Sequence, residues 1–333
     1  MASMTIAQAL NKAMHQIMKA DVSIVVIGED IVGGSGLSGG EELGGVFGVT
    51  KGLAQAFGRE RVIDTPISES AFVGMATGAA MTGLRPVVEV MFCDFFGVCF
   101  DQVFNQAAKA RFLSSGRIKL PLVIRTTMGA GDGSGAMHSQ SLHGLLASVP
   151  GLAVVCPSTP ADAAGLLKSA VAADGPVVIF EHKGLYGVSG EVKAALPAVP
   201  LGKGNIAQPG DDITLVALSA MVPKALEAAA TLKAGGISVE VIDPRTIHPL
   251  DSDMILASLA KTGRLLVVDE GAAFVGFADR VLSLAASEGF ASLKAAPQKL
   301  TPPHTPVPYG RKAEQEWLPA TSDIVATVKS MLM

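Results

Sequence analysis

Three residues stand where side-chain chemistry would be unusual for their surroundings. Glu69 opens a stretch in which no other charge occurs between Ser70 and Leu84, only small and apolar residues around Phe72, Val73, Met75 and Met81. With Pro66, Ile67 and Ser68 forming an entry turn, this stretch reads as a tightly packed helix with Glu69 at its mouth. Two readings are open for such a carboxylate. It is either a first-turn acid favoured by the helix dipole by a few tenths of a kcal/mol, or a carboxylate with a functional task. His138 follows the run "GAGDGSGAM", beyond the C-terminal end of a predicted parallel strand, where open α/β sheets place their ligands. A capping role fits it equally well, since most loop histidines have no catalytic task. Glu29 closes the first predicted strand, "VSIVVIGED", beside Asp30.

Other motifs match in letters and fail in context. "GSGLSG" (Gly34 to Gly39) fits GxGxxG, yet the strand before it has ended near Ile27 and no helix opens after it, as a dinucleotide site requires. The overlapping "GLSGG" fits GxSxG without the strand–elbow–helix frame of a nucleophilic serine. The six histidines show no metal-ligand spacing, and His304 in "PHTPVP" reads as structural.

The elements that must position these residues alternate along the chain. Apolar strands are predicted at "VSIVVIGED", "RVIDTP", "RPVVEVMF", "LPLVIRTTMG", "GLAVVCPS" and "GPVVIFEHK", with helices between them, among them "CFDQVFNQAAKARFL" and "ADAAGLLKSAVAA". Such alternation predicts an α/β fold with a mainly parallel sheet covered on both faces. The pattern lapses over residues 186–210 and resumes in a second α/β unit ending in the helix "TSDIVATVKSML". Two domains are therefore expected, 1–185 and 211–333, joined by a linker, as 333 residues also suggest.

Charged residues make up only 17% of the chain, which points to surface covered by partner subunits. A net charge of −4 gives no nucleic-acid footprint. Cys93, Cys99 and Cys156 lie in apolar runs and read as free thiols of a reducing compartment. No uncharged run keeps the ~20 predominantly apolar residues of a membrane helix. A cytoplasmic protein with no membrane partner is expected.

The stretches "RVIDTPISESAFVGMATGAAMTGLRPVVEVMFCDFFGVCFDQVFNQAAK", "MHSQS" and "PGLAVVCPSTPADAAGLL" resemble the beta subunits of thiamin diphosphate-dependent 2-oxo acid dehydrogenases. Within that family, "GGVFGVTKGL", "EHKGLYG" and "PHTPVPYG" are most similar to acetoin dehydrogenase beta subunits. The resemblance implies a transketolase-like pyrimidine-binding domain followed by a transketolase-like C-terminal domain. It also implies roles. Glu69, the Glu of "ISE", would bond the aminopyrimidine of the cofactor. Ile67, Met91 and Phe95 would form its apolar bed, Glu29 would join a proton relay, and His138 would face the substrate. Some relatives hold K⁺ through backbone carbonyls, which map here to Leu122, Ala170, Val171, Ala173 and Gly175.

Enzymes of this kind bind Mg²⁺ and the diphosphate through a GDG followed by an Asn. "GDG" stands at Gly131–Gly133, but the only asparagines are Asn11, Asn105 and Asn205, none in the stretch that follows. The resemblance thus implies that an alpha subunit supplies the diphosphate and metal side, in an α2β2 assembly that passes an acyl unit to a lipoyl-bearing acyltransferase. Acetoin cleavage is the activity implied, a pyruvate or branched-chain 2-oxo acid dehydrogenase the alternative, and a non-catalytic assembly subunit the third. The glycine-rich loop before His138 is expected to stay mobile until cofactor binds.

Overall fold

The computed structural model describes residues 1–32 and 44–333. The motif matches "GSGLSG" and "GLSGG" lie outside the described residues. Contacts divide the chain into two units, Met1–Met128 with Leu146–Leu201, and Gly129–Leu145 with Gly202–Met333. The segment carrying His138 thus groups with the second unit, although in sequence it lies well inside the first expected domain.

In the first unit, parallel strands run in the spatial order Ala153–Val155, Val177–His182, Val123–Met128, Arg85–Phe92, Ile24–Glu29 and Val62–Thr65. Their residues are buried almost throughout, as expected for a sheet covered on both faces. The chain winds outward from Ile24–Glu29 to Val62–Thr65, then returns to the other side at Arg85–Phe92. That reversal is a topological switch point, and open α/β sheets bind ligands in the crevice outside the carboxyl ends of strands there. Glu29 ends one flanking strand, and Met91 and Phe92 end the other.

Two capped helices pack on this unit. Ile6–Ala20 starts with a capping box, Thr5 and Gln8 exchanging backbone-to-side-chain bonds. Pro160–Ala172 starts with Pro at its first turn and the Thr159 hydroxyl accepting the Asp162 N–H. The Glu69–Met81 helix packs against the helical run from Phe96 to Leu113, which is interrupted by a π-turn at Gln102–Ala107. Gly74 makes this approach feasible, for a Cβ there would stand 2.7 Å from Gln102 Oε1.

The second unit holds strands in the order Gln298–Leu300, Leu265–Val268, Ile213–Ala217, Val239–Asp243 and Asn205–Gln208, parallel except for the last pair. Its core joins Leu215, Val241 and Leu266 of the sheet to Ala225, Ala229 and Leu232 of helix Met221–Ala234 and to Ile324 and Val328 of helix Thr321–Leu332. The expected linker contributes an edge strand to each unit. Ser189–Val192 pairs antiparallel with Ala2–Thr5, and Asn205–Gln208 with Val239–Asp243. The helices Ser252–Thr262 and Arg311–Trp317 are among those that escaped sequence assignment. Among the described residues no helix is long and apolar enough to cross a membrane.

Candidate active site

Glu69 is the first residue of its helix and only 6% exposed. The Ser68 side chain does not cap this helix start. The N-terminal turn is instead tied to the neighbouring helical run by Ser70 Oγ donating to the Val98 carbonyl at 2.7 Å. Among the described residues the Glu69 carboxylate has no hydrogen-bond or ion-pair partner. A buried carboxylate in that condition is costly unless some other group meets it.

Its charge is felt nearby. Burial first, and the Glu69 charge second, push the Cys99 thiol up to about 12. The Glu29 carboxyl is held above its ordinary value by burial, then by the charges of Asp30, Glu69 and Asp64. Asp64 stands opposite Gly28 in the strand register and accepts the Val32 N–H at 3.2 Å. The switch-point crevice is therefore acid-lined, and the fold brings Glu29 and Glu69 together there.

The other expected cofactor contacts lie in the same unit. Ile67 is 79% exposed, while Met91 and Phe95 are half-buried. Phe95 belongs to an aromatic chain that the sequence reading missed. It meets Phe92 edge-on at 5.6 Å, Phe92 meets Phe47 at 5.9 Å, and Phe47 stacks on Tyr186 at 5.0 Å. Lys183 Nζ stands 5.5 Å over the Phe92 ring.

Behind it lies a buried ionic group, also missed. Arg125 donates to Glu89 at 2.7 Å and to both carboxylate oxygens of Glu181 at 2.7 and 2.6 Å, and Tyr186 Oη donates to Glu181 at 2.6 Å. Glu89 is directly opposite Arg125 on the neighbouring strand. Burial lifts the Glu89 carboxyl, opposed by Arg125 and reinforced by Glu181. The signal was present in the sequence: a charge set within each of three strands buried on both faces requires a partner.

The five carbonyls expected to hold K⁺ have partners of their own in part. Arg85 Nη1 donates to Val171 O at 2.7 Å and lies 3.4 Å from Ala173 O. Leu122 O accepts the Val177 N–H and Ala170 O the Ala173 N–H. A guanidinium already supplies positive charge at two of the five. Among the described residues no cluster of three or more His, Cys, Asp or Glu side chains could hold a metal.

In the second unit, His138 is half-buried and closes the short turn Gly135–Met137, its N–H donating to Gly135 O. The glycine run ahead of it is held by two acids. Glu270 accepts the Ala130 N–H at 2.6 Å. Glu314, wholly buried, accepts the N–H groups of Gly131, Gly133 and Gly135 at 2.6, 2.7 and 2.6 Å, and the Ser139 hydroxyl at 3.2 Å. Burial alone would raise the Glu314 carboxyl, but these four bonds hold it below the ordinary value. The expectation of a loop loose until cofactor binds left this anchor out. Three glycines whose only contribution is backbone N–H leave no side-chain pattern for a sequence to show.

Next to this loop is a cavity of about 340 Å³ lined by Gln140, Ser141, Glu270, Gly271, His304 and Trp317. His143, also buried, bonds Asp269 at 3.0 Å, and that carboxylate outweighs burial to raise its pKa.

Known families match this architecture along nearly its whole length. The family "Transketolase, pyrimidine binding domain" matches residues 2–189, and "Transketolase, C-terminal domain" matches residues 202–324. The Cupriavidus necator protein "Acetoin:2,6-dichlorophenolindophenol oxidoreductase subunit beta" is 48% identical, covering 99% of this chain and 97% of that protein. The chain belongs to the transketolase-like family of dehydrogenase beta subunits. A Bacillus subtilis member with the same description is 47% identical over 98% of this chain and 97% of its own. "Pyruvate dehydrogenase E1 component subunit beta" of Staphylococcus epidermidis is 42% identical, covering 100% of this chain and 99% of its own. Among solved structures, a "Split gene transketolase, inactive beta4 tetramer" superposes with a TM-score of 0.79 at 25% identity, covering 99% of both chains. Family membership accounts for the two α/β units with mainly parallel sheets.

Proposed function

We propose that this chain is the beta subunit of an acetoin dehydrogenase, cleaving acetoin to acetaldehyde and passing the acetyl unit to a lipoyl group, with an alpha subunit completing the site. The observation that carries the reading is the buried Glu69 carboxylate at the switch point, which has no partner among the described residues. Thiamin diphosphate fits that condition. Its aminopyrimidine offers a ring nitrogen able to share a proton with Glu69, and Ile67, Met91 and Phe95 supply apolar surface of the kind a flat ring needs. When bound, the cofactor supplies a carbon nucleophile and an electron sink.

The chain's own residues do the rest. Glu69 holds a proton at the ring nitrogen and fixes the tautomer there. Its burial raises the worth of that single bond, because water competes weakly in a desolvated crevice. Glu29, whose carboxyl is held above its ordinary value by burial and by the neighbouring acids, is suited to holding and passing on a proton. His138 handles a proton at the substrate oxygen.

The diphosphate and Mg²⁺ belong to the alpha partner in this reading. The GDG of this chain turns both glycine N–H groups onto Glu314, which takes those donors from any diphosphate. A related beta-only assembly described as inactive supports the need for both chains. Higher identity to the acetoin than to the pyruvate relatives supports acetoin as substrate, with pyruvate as the second reading.

The test is dye reduction by this chain co-expressed with its alpha partner, with thiamin diphosphate and Mg²⁺, on acetoin and on pyruvate. Turnover on acetoin that needs both chains is expected. Faster turnover on pyruvate would move the protein to the 2-oxo acid branch, and activity of this chain alone would overturn the shared site.

A further inference from the structure

We propose that Glu314 is a positioning residue for the reaction: its carboxylate is the anion around which the loop bearing His138 is wound. This rests on the assignment of His138 to the substrate side of the site.

The sequence "GAGDGSG" has glycines at alternate positions, 129, 131, 133 and 135. Gly131, Gly133 and Gly135 adopt φ values of +119°, +92° and +71°, a region closed to most side chains. With every second residue in that region, the N–H groups of the run curl toward one side and form a concave donor array, the type of backbone nest that binds anions. Elsewhere such arrays take phosphates. Here three of the N–H groups converge on one side chain of the same protein. Glu314 Oε2 takes Gly131 and Gly133, and Oε1 takes Gly135 and the hydroxyl of Ser139, the immediate neighbour of His138.

The helix Arg311–Trp317 that carries Glu314 grips the loop at two further points. Arg311 Nε donates to the Asp132 carbonyl at 3.1 Å. Tyr309, just ahead of the helix, lies so close that a Cβ on Gly135 would stand 3.1 Å from its ring. The His138 backbone follows directly, its N–H bonded to the Gly135 carbonyl. A carboxylate is required rather than any acceptor, because one group must meet four donors with two oxygens. An amide in its place presents one oxygen and turns an NH2 toward donors.

The experiment compares Glu314→Gln with wild type in the complex with the alpha subunit. Two quantities are read: amide hydrogen exchange over residues 129–142, and kcat against KM for acetoin. Exchange of the loop is expected to quicken about 10-fold or more, with kcat falling about 10-fold and KM almost unchanged, because the loss is in the reacting arrangement. Glu316→Gln, on the same helix with an exposed side chain, is expected to change neither.

Unchanged loop exchange overturns the proposal. So does quickened exchange with wild-type kcat while His138→Ala is inactive, because Glu314 would then serve stability alone. Wild-type turnover in His138→Ala removes the underlying assignment and the proposal with it. Should Glu314→Gln fail to assemble, Gly131→Ala carries the test. A Cβ there meets nothing nearer than Leu318 at 4.0 Å, so only the φ of +119° is penalised and the nest alone is disturbed. The same two changes at smaller size are expected, and wild-type values for both would overturn the proposal.

Discussion

The acid-lined crevice of the first unit and the glycine nest of the second treat carboxylates in opposite ways. At the crevice, Glu29 is crowded by Asp30, Asp64 and Glu69, and its carboxyl is raised, with burial as the first cause. In the nest, Glu314 is just as removed from solvent as Glu69, yet four donors outweigh burial and its carboxyl is lowered. One region keeps negative charge under tension, suited to binding an incoming proton donor. The other uses negative charge to fix backbone, with nothing left to offer a ligand. The difference shows that burial of an acid says little about its task until its donors are counted.

Opposite pKa shifts give opposite pH dependences. Glu314 has a folded pKa below its unfolded value of about 4.3, so its contribution to stability is complete above that value and is lost as pH falls through the folded one. Glu29 has a folded pKa above its unfolded value, so the folded state binds the proton more tightly. Stability at this site therefore declines as pH rises from about 4.3 through the raised value, and the cost is full when both states are ionised.

The largest effect expected from breaking this contrast is at Glu69. Glu69→Gln should slow proton exchange at the reactive carbon of the cofactor by roughly 10²–10⁴-fold in the assembled enzyme, followed by deuterium incorporation. Near-normal exchange would take Glu69 out of its role. Arg125→Met comes next. It leaves Glu89 and Glu181 buried without their cation, and urea unfolding should register a loss of about 3–5 kcal/mol. Glu314→Gln should cost about 1.5–3 kcal/mol at neutral pH, with the difference from wild type shrinking as the medium is acidified below about pH 4. Glu29→Gln should act the other way, stabilising the protein at neutral pH by less than about 1 kcal/mol after solvent screening while lowering turnover. A loss of stability there would mean that the crowding of charge at the crevice is illusory.

Much of the crevice was legible before any coordinates. Glu69 stood out because charge is absent for fifteen residues after it, from Ser70 to Leu84, and Glu29 because it ends an apolar strand. The strands and the Glu69–Met81 helix follow the hydrophobic pattern closely. Helix Ser252–Thr262 went unassigned although Gly263, in the left-handed region, marks its end. The Arg125 group was readable in principle, since each of its charges interrupts an apolar strand. Glu314 was not. It lies far along the chain from the glycines it binds, in a charged segment, "RKAEQEW", that resembles any exposed helix.

The sequence by itself determined the alternating α/β plan, the placement of Glu69 and Glu29 at strand and helix ends, and the lack of the Asn that completes a diphosphate motif. These follow from local periodicity and residue type, which act over a few residues. Only the tertiary structure decided that the switch point gathers those acids, that Arg125 joins three strands, and that the GDG loop closes on a carboxylate of its own chain. Each depends on donors and acceptors brought together from distant segments, many of them backbone N–H groups that every residue but proline carries alike.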